Sequence, residues 1–187
     1  MMKKKIDYFE ALYDVARVIN ASLDTSEILS EIVHSVAESM HVKACSLRIL
    51  DSKKKRLLLG AYYGLSENYL KKGPVLLKDS GLDKLAMEGE TIWLKDAQTD
   101  DRFQYKEMAR AEGIKSVLVQ PLKVGKKVIG VLRLYSDVVR EFEKEEIRFL
   151  EAVTNLSAIA LDNARLHQAL KTDYELLAEA QYRLDDN

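Results

Sequence analysis

The chain has 187 residues, a length that suits one globular domain with helical extensions. Apolar residues make up 47% of it, and 29 basic residues nearly balance 30 acidic ones. A formal charge of −1 argues against general nucleic-acid binding, which normally needs a basic surface. The single cysteine, Cys45, excludes an intrachain disulfide and a cysteine-based zinc site.

Membrane and secretory segments are not predicted. No apolar run approaches the ~18–20 residues that a membrane span needs. Acidic residues soon follow the basic start at residues 3–5, so these residues do not open a secretory signal. We therefore expect a cytoplasmic protein that associates with neither membranes nor nucleic acid.

Two helices are predicted at the N-terminus. Asp24, followed three residues later by Glu27, resembles a capping box and predicts the start of the second helix. The apolar stripe of that helix, from Leu29 to Met40, is wide enough to lie on a sheet. The first helix has a narrow apolar seam with spacings of three and four, at Phe9, Leu12, Ala16, Ile19 and Leu23.

Alternating apolar residues predict two β-hairpins, which span residues 44–63 and 116–136. A long excursion, residues 64–113, separates them. Its predicted elements are strands at 75–77 and 91–94 and short helices at 81–88 and 105–112. The absence of Gly and Pro after residue 143 predicts one long C-terminal helix. This order indicates an α+β fold, an antiparallel sheet with helices on one face.

The alternation also separates the two faces of the sheet. Cys45 and Leu47 point to one side of the first strand, and Ser46 and Arg48 point to the other. On the last strand the same rule places Arg133 opposite its apolar neighbours. We expect the apolar faces to pack on the helices and the arginine-bearing faces to look toward the excursion.

Such a chamber, with apolar walls and a few fixed polar groups, is typical of a small-molecule site. The arginines favour an anionic or planar ligand. Alternatively, Arg48 or Arg133 pairs with Asp96, Asp100 or Asp101 and only holds the excursion in place, and the sequence leaves both open. The candidate pocket residues are Ser46, Arg48, Trp93, Asp96, Phe103, Tyr105, Met108, Val117, Val119, Arg133 and Tyr135.

The sequence contains no recognisable catalytic set. It lacks a glycine-rich phosphate loop and a His/Cys cluster with metal-ligand spacing. Cys45 lies on the apolar face and is predicted to be a core residue rather than a nucleophile. We expect no enzyme activity and no metal site, and the sequence identifies no cofactor. The alternative is a small enzyme, or a redox sensor that uses Cys45.

An ordered set of segments between residues 24 and 166 resembles a GAF domain. The segments are ACSLRILD at 44–51, YYGLS at 62–66, GETIWLKD at 89–96, DDRF at 100–103, GIKSVLVQPL at 113–122, IGVLRLYS at 129–136, and residues 142–166. The resemblance implies a six-stranded antiparallel sheet, with N- and C-terminal helices on one face and a ligand pocket on the other. It also implies a regulatory role, since such domains often precede histidine kinases, cyclic-nucleotide enzymes or transcription activators and signal as dimers.

Three specialised activities of that family are not expected. Cyclic-nucleotide-binding members have an Asn-Lys pair after the last strand, where this chain has Ser136 and Asp137. Members that reduce methionine sulfoxide need more than one cysteine. Bilin-binding members generally need a cysteine or histidine in the helix at 105–112, which has neither.

The C-terminal helix carries a heptad-like line at Phe149, Leu156, Asn163, Leu170, Leu177 and Leu184. Asn163 on this line resembles the polar residue that fixes the register of two-stranded coiled coils. We expect a homodimer through both terminal helices, with contacts at Phe9, Leu12, Ile19, Leu156, Asn163, Leu170 and Leu177. The alternative is a helix whose front half packs on its own sheet and whose tail is frayed.

These features predict a small-molecule-sensing regulatory domain in signal transduction. Residues 1–23 form a dimer helix, residues 24–166 the sensing domain and residues 167–187 a signalling extension. A ligand that closes the excursion over Arg48 and Arg133 shifts the helix packing. The downstream effector is expected to be a domain such as a kinase or a cyclic-nucleotide enzyme. The alternative function is a ligand-free dimerisation and interaction module.

Overall fold

The structure, a computed structural model, describes residues 8–21 and 24–185, with side chains described as far as residue 177. Leu23 of the predicted N-terminal seam and the side chain of Leu184 lie outside the described residues. Among the residues described, no helix combines the length and the apolar character that a membrane crossing needs.

Six helices and six strands are described. The helices are α1 (Tyr8–Ala21), α2 (Thr25–Ser39), α3 (Glu67–Leu70), α4 (Gly81–Met87), α5 (Lys106–Glu112) and α6 (Lys144–Asp185). The strands are β1 (Ala44–Leu50), β2 (Arg56–Tyr63), β3 (Val75–Leu76), β4 (Ile92–Leu94), β5 (Ser116–Val124) and β6 (Lys127–Ser136). A short 3₁₀ turn, Leu77–Asp79, precedes α4.

The strands form one antiparallel sheet in the order β3-β2-β1-β6-β5-β4. The two hairpins therefore meet at β1 and β6 in the middle, and the short strands of the excursion form both edges. Helices α1, α2 and α6 cover one face, and the excursion covers the other. The predicted α+β class and the six-stranded antiparallel sheet are confirmed.

The two faces carry separate apolar clusters. In the first, which we call the helix-side core, β-strand residues pack on α1, α2 and α6. It includes Val15, Ile32, Val36, Cys45, Leu47, Leu118, Leu132, Leu134, Phe149 and Val153. In the second, the excursion-side core, the other faces of the same strands meet the excursion. It includes Leu57, Tyr69, Val75, Leu82, Leu94, Phe103, Val117, Val119, Val131 and Tyr135.

The starts of α2 and α6 are both fixed by side chains. Asp24 Oδ1 accepts hydrogen bonds from the backbone N–H groups of Ser26 (2.8 Å) and Glu27 (3.4 Å), so the predicted start of α2 is confirmed. At the other end of the domain, the carboxylate of Glu146 accepts from the backbone N–H of Glu143 at 2.7 Å. Glu146 also pairs with Arg140, just before α6.

Gly130 on β6 lies close to the backbone of the neighbouring strand β1. A Cβ on this residue would overlap the carbonyl oxygen of Arg48 and lie 3.2 Å from the Cα of Ile49. Both neighbours are backbone atoms of β1, so the central strand pair would have to shift to make room.

We therefore expect Gly130→Ala to lower the free energy of unfolding by about 2 kcal/mol or more, measured by urea denaturation. The control is Gly81→Ala at the start of α4, where a Cβ meets nothing within 4 Å. That variant should stay within about 0.5 kcal/mol of the parent. Equal losses in the two variants would show that the close approach of β1 and β6 does not limit this position.

Candidate functional site

The polar residues of β1 and β6 lie together beneath the excursion, as their alternation predicts. Ser46, Arg48, Arg133 and Tyr135 are all buried. Ser46 Oγ and the Tyr135 hydroxyl are hydrogen-bonded at 3.0 Å, which fixes the floor between the two strands. The site is therefore built on the two central strands rather than on loops.

Arg133 forms an ion pair with Asp83, which lies on α4 in the excursion. The two side chains are 2% and 1% exposed. Burial alone would lower the pKa of Arg133, but the adjacent Asp83 carboxylate, together with Tyr135 and Tyr69, more than offsets this and raises it. Ser80 Oγ donates to the other oxygen of Asp83 at 2.5 Å, so the carboxylate is held from its own helix as well.

This pair corrects one sequence-based alternative. The arginine that binds the excursion does so through Asp83, and none of the three predicted acids is its partner. Asp96 instead accepts from the backbone N–H of Gln98 (2.9 Å). Asp100 pairs with Arg102, and Asp101 pairs with Lys106.

Arg48 is equally buried but has no carboxylate partner among the described residues. Its Nη1 donates to the carbonyl oxygens of Leu57 (3.3 Å) and Gly73 (3.4 Å), both at the long end of the hydrogen-bond range. Burial lowers its pKa from the usual value. The two arginines therefore differ, since Arg133 is neutralised and Arg48 is not.

Two residues of the excursion that the sequence analysis missed complete the site, Tyr69 and Lys72. The Tyr69 ring meets Tyr135 edge-on, with centroids 5.9 Å apart. Lys72 Nζ lies 3.5 Å from the centre of the Tyr69 ring and 4.9 Å from that of Tyr105. Burial, and then the charges of Arg133 and Arg48, lower the pKa of Lys72 to about 6.

The remaining predicted pocket residues divide between the two faces. Phe103, Val117 and Val119 belong to the excursion-side core, and Tyr105 and Met108 pack against it.

The predicted position of Trp93 is wrong, because it packs against the helix-side core on the opposite face. Trp93 pairs with Leu118 across β4 and β5, and Leu118 points to the helices. Its indole Nε1 donates to the carbonyl oxygen of Arg140 at 3.1 Å.

Cys45 lies in the helix-side core and is fully buried, and burial raises the pKa of its thiol. This environment favours a packing role over that of a nucleophile or a redox sensor. Over the described part of the chain, no group of three His, Cys, Asp or Glu residues is placed to hold a metal ion.

An open groove of about 920 Å³ lies on the other side of the sheet, between α1, α2, the β1–β2 turn and α6. Its polar lining includes the solvent-exposed Lys54 and Lys127. Because these groups are not fixed by burial, the groove lacks the preorganised contacts of the Arg48 region, and we assign the candidate site to the latter.

Comparison with known proteins fits this architecture. Residues 22–162 match the family model for the GAF domain. The chain belongs to the GAF domain family. The predicted resemblance is confirmed at the level of the family, and the match identifies no subfamily.

Two similar relatives are regulators by name. The formate hydrogenlyase transcriptional activator of Salmonella typhimurium (strain SL1344) is 21% identical over 191 residues, covering 100% of this chain and 28% of the relative. The methyl sulfide methyltransferase-associated sensor of Methanosarcina acetivorans is 28% identical over 156 residues, covering 81% of this chain. The chain thus spans 28% and 15% of the lengths of these two proteins.

Solved structures share the fold. The GAF domain of a phosphoenolpyruvate-protein phosphotransferase from Coxiella burnetii has a TM-score of 0.79 at 21% identity, covering 89% of this chain and 99% of that one. Free methionine-R-sulfoxide reductase from Neisseria meningitidis, an enzyme, has a TM-score of 0.73 at 16% identity, covering 89% and 96%. The GAF fold alone therefore does not decide between regulation and catalysis.

The buried pair gives a direct test of how the excursion is held. We expect Asp83→Asn to lower the free energy of unfolding by about 3–5 kcal/mol, because it leaves the charge of Arg133 buried and uncompensated. The control is Asp79→Asn, an exposed acid in the preceding 3₁₀ turn, which should change stability by less than about 0.5 kcal/mol. Urea denaturation measures both, and similar values for the two would contradict the assignment.

Proposed function

We propose that this GAF domain is a non-catalytic sensor that binds a small molecule over Arg48 and Arg133 and passes the signal through α6 to a second copy. We place it in the cytoplasm, as the input to an effector domain such as a kinase, a cyclic-nucleotide enzyme or a transcription activator. The name of one relative, the formate hydrogenlyase transcriptional activator, supports the last class.

One observation carries the proposal. Four buried side-chain atoms lack a hydrogen-bond partner within the described residues: Nε of Arg48, Nε of Arg133, Nζ of Lys72 and the hydroxyl of Tyr69. All four belong to the region between the sheet and the excursion. Leaving such a group unpaired costs about 1–3 kcal/mol, so native proteins seldom tolerate several in one place. A bound molecule that pairs with them accounts for their presence.

The sheet links this region to the helices. Arg133 faces the excursion, while Leu132 and Leu134 on either side of it belong to the helix-side core. Phe149 and Val153 of α6 are part of that same core. A change in how β6 lies beneath the excursion therefore alters the surface on which α6 packs.

The outer face of α6 supports a dimer. Ile159, Leu166, Leu170 and Leu177 are 51–69% exposed and follow heptad spacing. Asn163 is also exposed on this face. An apolar stripe of this length on a solvent-facing helix is typical of a helix-pairing surface, and a second copy presents the same stripe.

The predicted N-terminal contacts differ among themselves. Phe9 is 80% exposed. Leu12 and Ile19 instead pack partly against the helix-side core of their own chain. We therefore assign the proposed pairing mainly to α6.

A ligand-free interaction module is the second candidate. It is favoured by the Arg133–Asp83 pair, which already closes the excursion onto the sheet without a ligand. In that case the helices alone carry the function, and substitutions at Arg48 leave it unchanged.

Disulfide crosslinking tests the dimer. In a Cys45→Ala background, we expect Leu170→Cys to crosslink under mild oxidation, because this position lies on the exposed heptad line. Gln168→Cys, on the opposite side of α6, is the control and should crosslink far more slowly. Equal rates at both positions, or a monomer by sedimentation, would contradict pairing through this stripe.

The same reporter separates the two candidate functions. We expect a deproteinised filtrate below 1 kDa, prepared from cells of the source organism, to change the crosslinking rate of Leu170→Cys. The response should disappear when Arg48→Met is added, since this removes the unpaired guanidinium. A rate that never responds, in either background, favours the ligand-free module.

A further inference from the structure

The four unpaired atoms share a chemical property. Arginine Nε and a protonated lysine Nζ only donate hydrogen bonds, and a tyrosine hydroxyl is able to donate. The region therefore has surplus donors and lacks acceptors. A molecule that pairs with them must present several acceptor atoms close together.

The charges point in the same direction. Two arginines and one basic lysine act on this region, and its one buried carboxylate, Asp83, is already bound to Arg133. The carboxylate of Glu112, at the edge of the region, is taken by the hydroxyl and the backbone N–H of Ser66. Arg48 and Lys72 therefore have no negative partner among the described residues.

Arg48 and Lys72 are also placed to act on one molecule. The carbonyl of Gly73, the residue directly after Lys72, accepts a hydrogen bond from Arg48 Nη1 at 3.4 Å. Lys72 Nζ lies 3.5 Å from the centre of the Tyr69 ring. The guanidinium, the amine and the phenol are thus brought together by β1 and by the turn that follows α3.

Resting on the function proposed above, we propose that the sensed molecule is a small anion with at least two oxygen acceptors, a carboxylate or an inorganic oxoanion. Arg48, Lys72 and the hydroxyl of Tyr69 hold it, and the Nε–H of Arg133 borders the same space. Arg48 and Lys72 contribute differently to binding the anion. The guanidinium supplies a permanent charge and a planar fork, and the amine supplies a charge that depends on protonation.

Lys72 makes binding depend on pH. Its pKa of about 6 in the unliganded protein leaves the amine mostly neutral at pH 7.5. An anion beside it favours the ammonium form and raises that pKa, so binding takes up a proton. The charged and titratable groups that face Lys72 are Arg48, Arg133, Asp83, Glu112, Tyr69 and Tyr105.

Anion affinity therefore decreases with increasing pH. Affinity is highest near pH 6 and below, where the amine is already protonated. It falls as the pH rises above about 6, by at most about tenfold per pH unit, until the raised pKa of the complex is passed. A site built from arginines alone has no such slope in this range.

The experiment is calorimetric titration with acetate, nitrate and inorganic phosphate at constant ionic strength in chloride, with acetamide as the uncharged counterpart of acetate. We expect at least one anion to bind saturably and acetamide not to bind. The anion that binds distinguishes a carboxylate from an inorganic oxoanion. Repeating the titration at pH 7.5 in two buffers of different ionisation enthalpy should show uptake of up to one proton.

Lys72→Met and Lys71→Met form a matched pair. Lys71 is exposed and donates to Asn68 at 3.0 Å, so its replacement should leave anion affinity unchanged. Lys72→Met should weaken binding at least tenfold and abolish proton uptake. It should melt no lower than the parent, because it removes an amine that burial disfavours, and the loss of binding is then not a loss of folding.

The inference is overturned if none of the three anions binds, if acetamide binds as tightly as acetate, or if the two lysine variants behave alike. Its failure is separable from that of the proposed function. If crosslinking at position 170 still responds to the cell filtrate, the sensor stands and the sensed molecule is not a small anion. If crosslinking is also unresponsive, both proposals fall.

Discussion

The period-two alternation of β1 and β6, the two central strands, is the constraint on which the rest of the molecule depends. It sends Leu132 and Leu134 into the helix-side core and Arg133 between them toward the excursion. A register slip of one residue would place Arg133 against α6 and expose the leucines to the polar site. The ten residues of β6 therefore contribute to both the helix-side core and the candidate site, and a change in the register of this strand would disrupt both.

The two faces make opposite contributions to stability. The helix-side core buries aliphatic side chains of three helices, and this burial stabilises the fold. Beneath the excursion, Nε of Arg48 and Nζ of Lys72 are buried without a hydrogen-bond partner among the described residues, and apolar side chains of similar size would stabilise that region more. A marginally stable protein retains destabilising groups when they are needed for function. Their energetic cost therefore argues for a binding role.

The sequence predicts features that depend on residues close together in the chain, and it misses those that depend on residues far apart. Alternation places Ser46 and Arg48 on the correct face, and the Asp24 cap starts α2, because both depend only on near neighbours. Asp83 lies 50 residues from Arg133, and only the packing of α4 brings the two together. Trp93 is misplaced for a related reason, since its three-residue strand acquires a definite face only through its register with β5.

Trp93 takes part in the connection between the sheet and α6. Its indole donates to the carbonyl of Arg140, whose own N–H donates to Ser116 Oγ on β5 (2.9 Å). The guanidinium of Arg140 donates to the two carbonyls that directly follow α2, at Met40 (2.8 Å) and His41 (3.2 Å), and pairs with Glu146 in the first turn of α6. Arg140 thus connects β5, the end of α2 and the first turn of α6. Because this first turn is held on several sides, the proposed signal would reach α6 as a rotation or translation of the whole helix, and not as local unwinding.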